Sequence, residues 1–237
     1  MLKRLYERSE IGFAIAWIVT YVVVIGSLRG NCGDESPALL LGMVGFTLTS
    51  VLFLRATKTW EKYGLTSWSD DRRYLYFVPL ILLCTVNFWA GISPHYEGLA
   101  QVRAMASLGL VGWVEETIFR GFLFRAMERE NVTRAIVVSA LTFGAGHIVN
   151  LFIGQASVDT LLQVAYAAAI GFAFVMVFHT SGSLWPCIVT HAVIDVTSKL
   201  SNQSLAPATE LLLNYVAAAF IIVVAGGYAW YLHKRAA

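Results

Sequence analysis

Charge is what this chain has least of. Lys, Arg, Asp and Glu make up 14% of its 237 residues, where a soluble domain carries roughly 25%. Hydrophobic residues reach 57%, and the mean hydropathy is +0.65. This apolar surplus runs along the whole chain, which excludes a soluble core on a single anchor and points to a polytopic membrane protein. A net charge of +2, with basic residues scattered between apolar runs, gives no basis for nucleic-acid binding. Cys32, Cys84 and Cys187 are odd in number and lack metal-type spacing, so neither a disulfide framework nor a zinc finger is expected. Internal repeats, low-complexity tracts and Pro-rich linkers are missing, so residues 1–237 are read as a single integral membrane domain. No A-x-A-like cleavage site follows Ile11–Leu28, which is therefore read as a retained first span and not a signal peptide.

What is present is a series of apolar runs near the ~20 residues that a spanning helix needs. Eight are expected, at 11–28, 38–55, 74–93, 104–127, 133–152, 159–179, 183–199 and 209–232, giving an all-α fold with about eight transmembrane helices. Eight crossings put both termini on one side. That side receives Lys3, Arg4, Arg8, Arg55, Lys58, Lys62, Arg72, Arg73, Arg120, Arg125, Arg129, Arg134, Lys234 and Arg235. These are fourteen of the 17 basic residues, and only Arg29, Arg103 and Lys199 fall opposite. Cytoplasmic loops are the ones enriched in Lys and Arg, so both termini are expected in the cytoplasm. In a prokaryote the membrane would be the plasma or inner membrane. The longest polar connection, 57–73, is expected to be a cytoplasmic loop with an interfacial helix.

Ionisable groups inside spans are costly and usually face a protein interior or a water-filled cavity. Here they are Glu115, Glu116 and Arg120 in the fourth run, His147 with Asn150 in the fifth, and His191 with Asp195 in the seventh. At 1.5 Å per residue, Glu115 lies about 18 Å from Arg103, His147 about 20 Å from Arg134, and His191 about 12 Å from Ser183. Three helices thus carry polar groups at comparable depth, which predicts a polar cavity inside the bundle. Glu116 and Arg120 are four apart with the acid first, the favourable order for a helical ion pair. Glu115 is turned about 100° from Glu116, so the two acids face different neighbours. His191 and Asp195 share a face, and the acid is placed to fix the imidazole tautomer. Gly144 and Gly146 strip bulk from the helix beside His147 and permit a close neighbour.

A carboxylate beside an imidazole can hold a water and take its proton, making a nucleophile for an amide carbonyl. A second imidazole can stabilise the oxyanion that then forms. Glu115 with His147, and His191 with Asp195, supply these two halves, while Glu116, Arg120 and Asn150 support them. No Ser, Thr or Cys nucleophile is required.

Glu115-Glu116-x-x-x-Arg120, Phe143-x-x-x-His147 and His191-x-x-x-Asp195 resemble, in order, the three signatures of the CPBP family of intramembrane proteases. That family includes the type II (Rce1) CAAX prenyl endopeptidases. The motifs cover about 80 residues, within an expected catalytic core at about 104–199. The resemblance implies an all-helical membrane protease in which Glu115 and His147 activate water and His191, with the residue four on, stabilises the oxyanion. Many members carry Asn at that last position. An ionised Asp195 cannot donate to an oxyanion, so it either orients His191 or is itself protonated. The family has also been described as metalloprotease, and Glu115, His147 and His191 would then be the zinc ligands. Without HExxH, a metal-free water and no cofactor are the expectation.

The expected partners are the bilayer and a protein or peptide substrate, prenylated or not. GxSG and GxGD motifs are also absent. Two other classes remain as alternatives: a non-catalytic membrane scaffold or bacteriocin-immunity protein of the same fold, and a small proton-coupled transporter. The complete motif set weighs against the first. The lack of an inverted repeat weighs against the second.

Overall fold

In the computed structural model, residues 2–66 and 77–236 are described, and they form an all-helical bundle. Its first helices begin where short polar side chains satisfy free backbone donors. Ser9 Oγ accepts from Gly12 N at 3.0 Å to start α2 (Glu10–Cys32), following the short α1 (Leu2–Arg8). Ser36 Oγ accepts from Leu39 N at 3.1 Å to start α3 (Pro37–Thr57). Then come α4 (Val78–Leu83), α5 (Gly98–Glu116), a π-helical stretch (Thr117–Phe124) and α6 (Arg125–Glu128). Asn131 caps α7 (Val132–Gly146), which runs into a 3₁₀ stretch (His147–Ile153). The bundle closes with α8 (Ser157–Ser181), α9 (Trp185–Ser198) and α10 (Pro207–Ala236).

Among the described residues, five helical stretches are long and apolar enough to cross a membrane: Glu10–Cys32, Pro37–Thr57, Val132–Phe152, Ser157–Ser181 and Pro207–Ala236. Their outer faces carry Leu41, Leu52, Leu161 and Val223, each more than 60% exposed, as lipid-facing side chains are. This is an integral membrane protein. The other three expected spans differ in kind. Of 74–93, residues 74–76 lie outside the described residues, and the rest holds only α4 and a 3₁₀ turn at Val86–Phe88. Val78–Phe88 would be about 16 Å long, too short to cross. The fourth run is helical from Gly98 to Glu128 but carries the three charges. The seventh, α9, has 14 residues, or about 21 Å. The connection at 57–73 shows turns and no helix over 58–66, and its remainder lies outside the described residues.

Aromatic rings fill the core between α2, α3 and the π-helical stretch: Phe13 stacks on Phe53 at 4.6 Å and meets Phe122 edge-on at 5.0 Å. Polar contacts gather at the two ends. At one, Lys62 Nζ reaches Glu10 Oε2 and the Tyr6 hydroxyl, both at 2.7 Å, and Leu184 N donates to Gly64 O. At the other, Asp34 lies 2.6 Å from both Arg29 and Lys199, and Arg103 Nε donates to Glu35 O at 2.8 Å. Arg29, Arg103 and Lys199, the three basic residues set apart by sequence, therefore sit at one end of the bundle.

Candidate active site

Two glycines bring the relevant helices together. A Cβ on Gly112 would lie 2.6 Å from Ala192 N and 2.7 Å from Ile188 O, so only glycine lets α5 rest on the α9 backbone here. Glu115 and Glu116 follow one turn later, and His191 adjoins the contact on α9. Gly144 plays the same part between α7 and α8, where a Cβ would stand 2.9 Å from Val164 O. Gly146 meets nothing closer than Phe119 at 4.0 Å and is not a packing glycine. Immediately after Glu116 the helix widens into the π-helical stretch, whose eight residues are all buried. Such bulges insert an extra residue per turn and concentrate at functional sites.

The two glutamates part company. Glu116 is fully buried, and its Oε1 accepts from Arg120 Nη1 at 3.0 Å and from His191 Nδ1 at 2.8 Å. Arg120, also fully buried, donates to Gly171 O at 3.3 Å, and its guanidinium lies 4.1 Å from the Phe143 ring centre and 5.4 Å from that of Phe174. Aromatic faces on both sides replace the water this cation gives up. Glu115 instead faces a cavity of about 250 Å³, where its Oε1 accepts from the Tyr21 hydroxyl at 2.8 Å.

His147, Asn150, His191 and Asp195 line the same cavity. His147 Nδ1–H donates to Phe143 O at 3.1 Å. A carbonyl can only accept, so in the neutral ring Nε2 carries the lone pair. His191 Nε2 stands 3.8 Å from Glu115 Oε2 and 3.6 Å from Asp195 Oδ2. Three carboxylates thus surround this imidazole, and the one that hydrogen-bonds it is Glu116. Asp195 faces the opposite nitrogen, Nε2, from beyond hydrogen-bond range. Asn150 Nδ2 donates to Gln163 Oε1 at 2.7 Å and so ties the 3₁₀ stretch to α8.

Residues 99–197 match the family described as Type II CAAX prenyl endopeptidase Rce1-like. This segment is similar to an Rce1-like domain. No curated protein and no solved structure matches the chain. All seven residues singled out from the sequence fall inside the Rce1-like segment. The residues that sequence reading missed lie outside it, on α2. Tyr21 bonds Glu115 from 94 positions away. A hydroxyl midway along an apolar span was the available signal, because a buried Tyr normally finds a partner. Arg29, in the last turn of α2, lines the cavity as well.

The donor set for zinc does not fit a metal centre. Glu115, His147 and His191 share the cavity, yet among the described residues no group of three or more His, Cys, Asp or Glu side chains is placed to hold a metal ion.

Proposed function

We propose that this protein is an intramembrane endopeptidase that hydrolyses a peptide bond of a membrane-associated or prenylated substrate with a water activated by Glu115 and His147. The observation that carries the reading is the division of the acid pair: Glu116 is locked to Arg120 and His191, while Glu115 is held by one hydroxyl and open to the cavity. A carboxylate that is shielded from bulk water yet open to a cavity can hold a water within hydrogen-bond reach and take its proton. Glu115 takes the proton of the attacking water, and His147 Nε2 helps hold that water. The hydroxide adds to the carbonyl carbon. His191 acts in its protonated form, with Nδ1–H on Glu116 and Nε2–H presented to the charge that develops on the carbonyl oxygen. The proton held by Glu115 then passes to the leaving amine as the C–N bond breaks. Asp195, beside His191 Nε2, competes for that donor and is counted with the catalytic group.

The same proposal places both termini and the Lys62 end in the cytoplasm, as the uneven distribution of basic residues supports. The decisive comparison is the peptide and membrane-protein pool of cells carrying the wild type or Glu115→Gln. The variant keeps side-chain size, so it should fold, yet cleave at least ~100-fold more slowly. A purified Glu115→Gln protein with near wild-type turnover, or identical pools in the two cells, rules out this chemistry.

A further inference from the structure

We infer that Asn150 and Gln163 form an amide pair that binds the main chain of one substrate residue as a neighbouring strand would, an inference that rests on the peptidase reading of Glu115 and His147. Two amide side chains meet on the cavity wall, and neither titrates, so neither can move the proton of the reaction. Asn150 is 6% exposed, Gln163 is half-buried on α8, and both line the cavity. Asn150 Nδ2 donates to Gln163 Oε1 at 2.7 Å. Two amides that served only to tie the 3₁₀ stretch to α8 could close on each other with two hydrogen bonds; here they close with one. Asn150 Oδ1 and Gln163 Nε2 have no partner among the described residues, and neither atom is sealed from the cavity. The pair thus offers one acceptor and one donor. In an extended chain the N–H and C=O of one residue point to the same side, and a partner strand engages both.

In a helix each carbonyl is already hydrogen-bonded four residues on, so a helical substrate has to be drawn straight around the bond that is cut. Away from bulk water, every main-chain group freed in this way is costly unless it finds a partner. Spacing brings the amide pair within reach of that stretch. Residues three apart in a 3₁₀ helix eclipse, with a rise of about 2.0 Å per residue, so Asn150 stands on the same face as His147 and about 6 Å along. An extended peptide advances about 3.3 Å per residue. The residue held by the pair is therefore the first or second beside the scissile bond. Main-chain binding fixes register while leaving side chains free to vary, with one exclusion: proline has no N–H to give.

The test uses the full-length protein in lipid nanodiscs and a library of N-acylated apolar peptides. The peptide that Glu115→Gln protein binds most tightly is remade with an ester in place of each amide in turn, the cut bond excepted, and with Pro at each position. An ester removes one N–H and weakens one C=O with little change of shape. Kd is read on Glu115→Gln protein, kcat and KM on the wild type, and the cut site by mass spectrometry. Two consecutive esters, altering the N–H and the C=O of one residue beside the cut, should each raise KM and Kd roughly tenfold, the scale of a lost hydrogen bond with its partner left unpaired. Pro at that residue should bind as poorly. Asn150→Leu and Gln163→Leu should raise KM by a similar factor, retain kcat and flatten the ester scan. A purely structural tie would instead lower the melting midpoint of these variants and leave the scan unchanged, which overturns the inference. So does a flat scan in the wild type, with cleavage retained and the peptidase reading intact. Ester-sensitive binding that depends on Gln163, without cleavage by the wild type, retires the peptidase reading and keeps the amide pair. A library that is neither bound nor cut overturns both.

Discussion

Replacing Arg120 with Met is the sharpest test of how the site is held. The guanidinium is fully buried between two aromatic rings and bonded to Glu116 and to the Gly171 carbonyl. Removing one member of a buried pair leaves the other as an uncompensated charge, at about 3–5 kcal/mol. His191 still donates to Glu116 in the variant, so the low end of that range, about 3 kcal/mol, is expected. For a chain of this size each kcal/mol moves the melting midpoint by about 2–4 °C, which makes the expected drop about 6–12 °C. Intrinsic fluorescence during heating in detergent reads it directly. Glu116→Gln should also destabilise, because it strands Arg120. The double variant should recover part of the loss, since neither charge is then left alone. Single variants that melt within about 1 °C of the wild type, or a double variant whose loss is the sum of the two, would refute the buried-pair argument.

Tyr21→Phe keeps the ring and removes one donor to Glu115, so it should fold normally and lose about tenfold in kcat; unchanged kcat would remove Tyr21 from the site. Asp34 gives a pH prediction: burial pushes its carboxyl up, but Arg29 and Lys199 outweigh burial and hold it below its ordinary value of 3.8. A carboxylate lowered by folding stabilises the fold above that ordinary value, and the contribution is lost as pH falls through the lowered one. The melting gap between wild type and Asp34→Asn should therefore close below about pH 4; a constant gap down to pH 3 would contradict the sign. Because the donor set is not placed to hold a metal ion, activity should survive EDTA and 1,10-phenanthroline, and chelator-induced loss that zinc restores would reverse that expectation.

The site was legible where chemistry contrasts with its surroundings. Glu115, Glu116, Arg120, His147, His191 and Asp195 stand out because a charged or polar group inside an apolar run has few structural excuses, and helical spacing predicts which face each occupies. The acid pair's divergence follows from the 100° turn between neighbours. Partner choice was not legible in the same way. Glu116 and Asp195 are both within reach of His191, and only the approach of α5 to α9 at Gly112 decides that Glu116 makes the bond. Tyr21 and Arg29 belong to a helix far away in sequence, so no local pattern ties them to Glu115. The third expected span failed for a related reason. Its composition suits a full crossing, but Asn87 Nδ2 donates to Ile194 O at 2.7 Å and to Thr197 Oγ1 at 2.9 Å, and those tertiary bonds hold the chain in a broken, shorter path.

The sealing of Arg120 also bears on how the protein enters its membrane. A charged residue at mid-bilayer costs about 2.5–3.5 kcal/mol on translocon scales, and this segment carries three. It is also not among the helices long and apolar enough to cross, as the later Val132–Phe152 and Ser157–Ser181 are. The groups that shelter the guanidinium, Phe143 and the Gly171 carbonyl, emerge from the ribosome later, on α7 and α8. Biogenesis is then not a row of independent insertions. The segment must wait, shielded by the insertion machinery or lodged at the interface, until α8 has been made. A glycosylation reporter should find it unstably integrated in chains that stop at Ala156 and secured in chains that extend past Ser181.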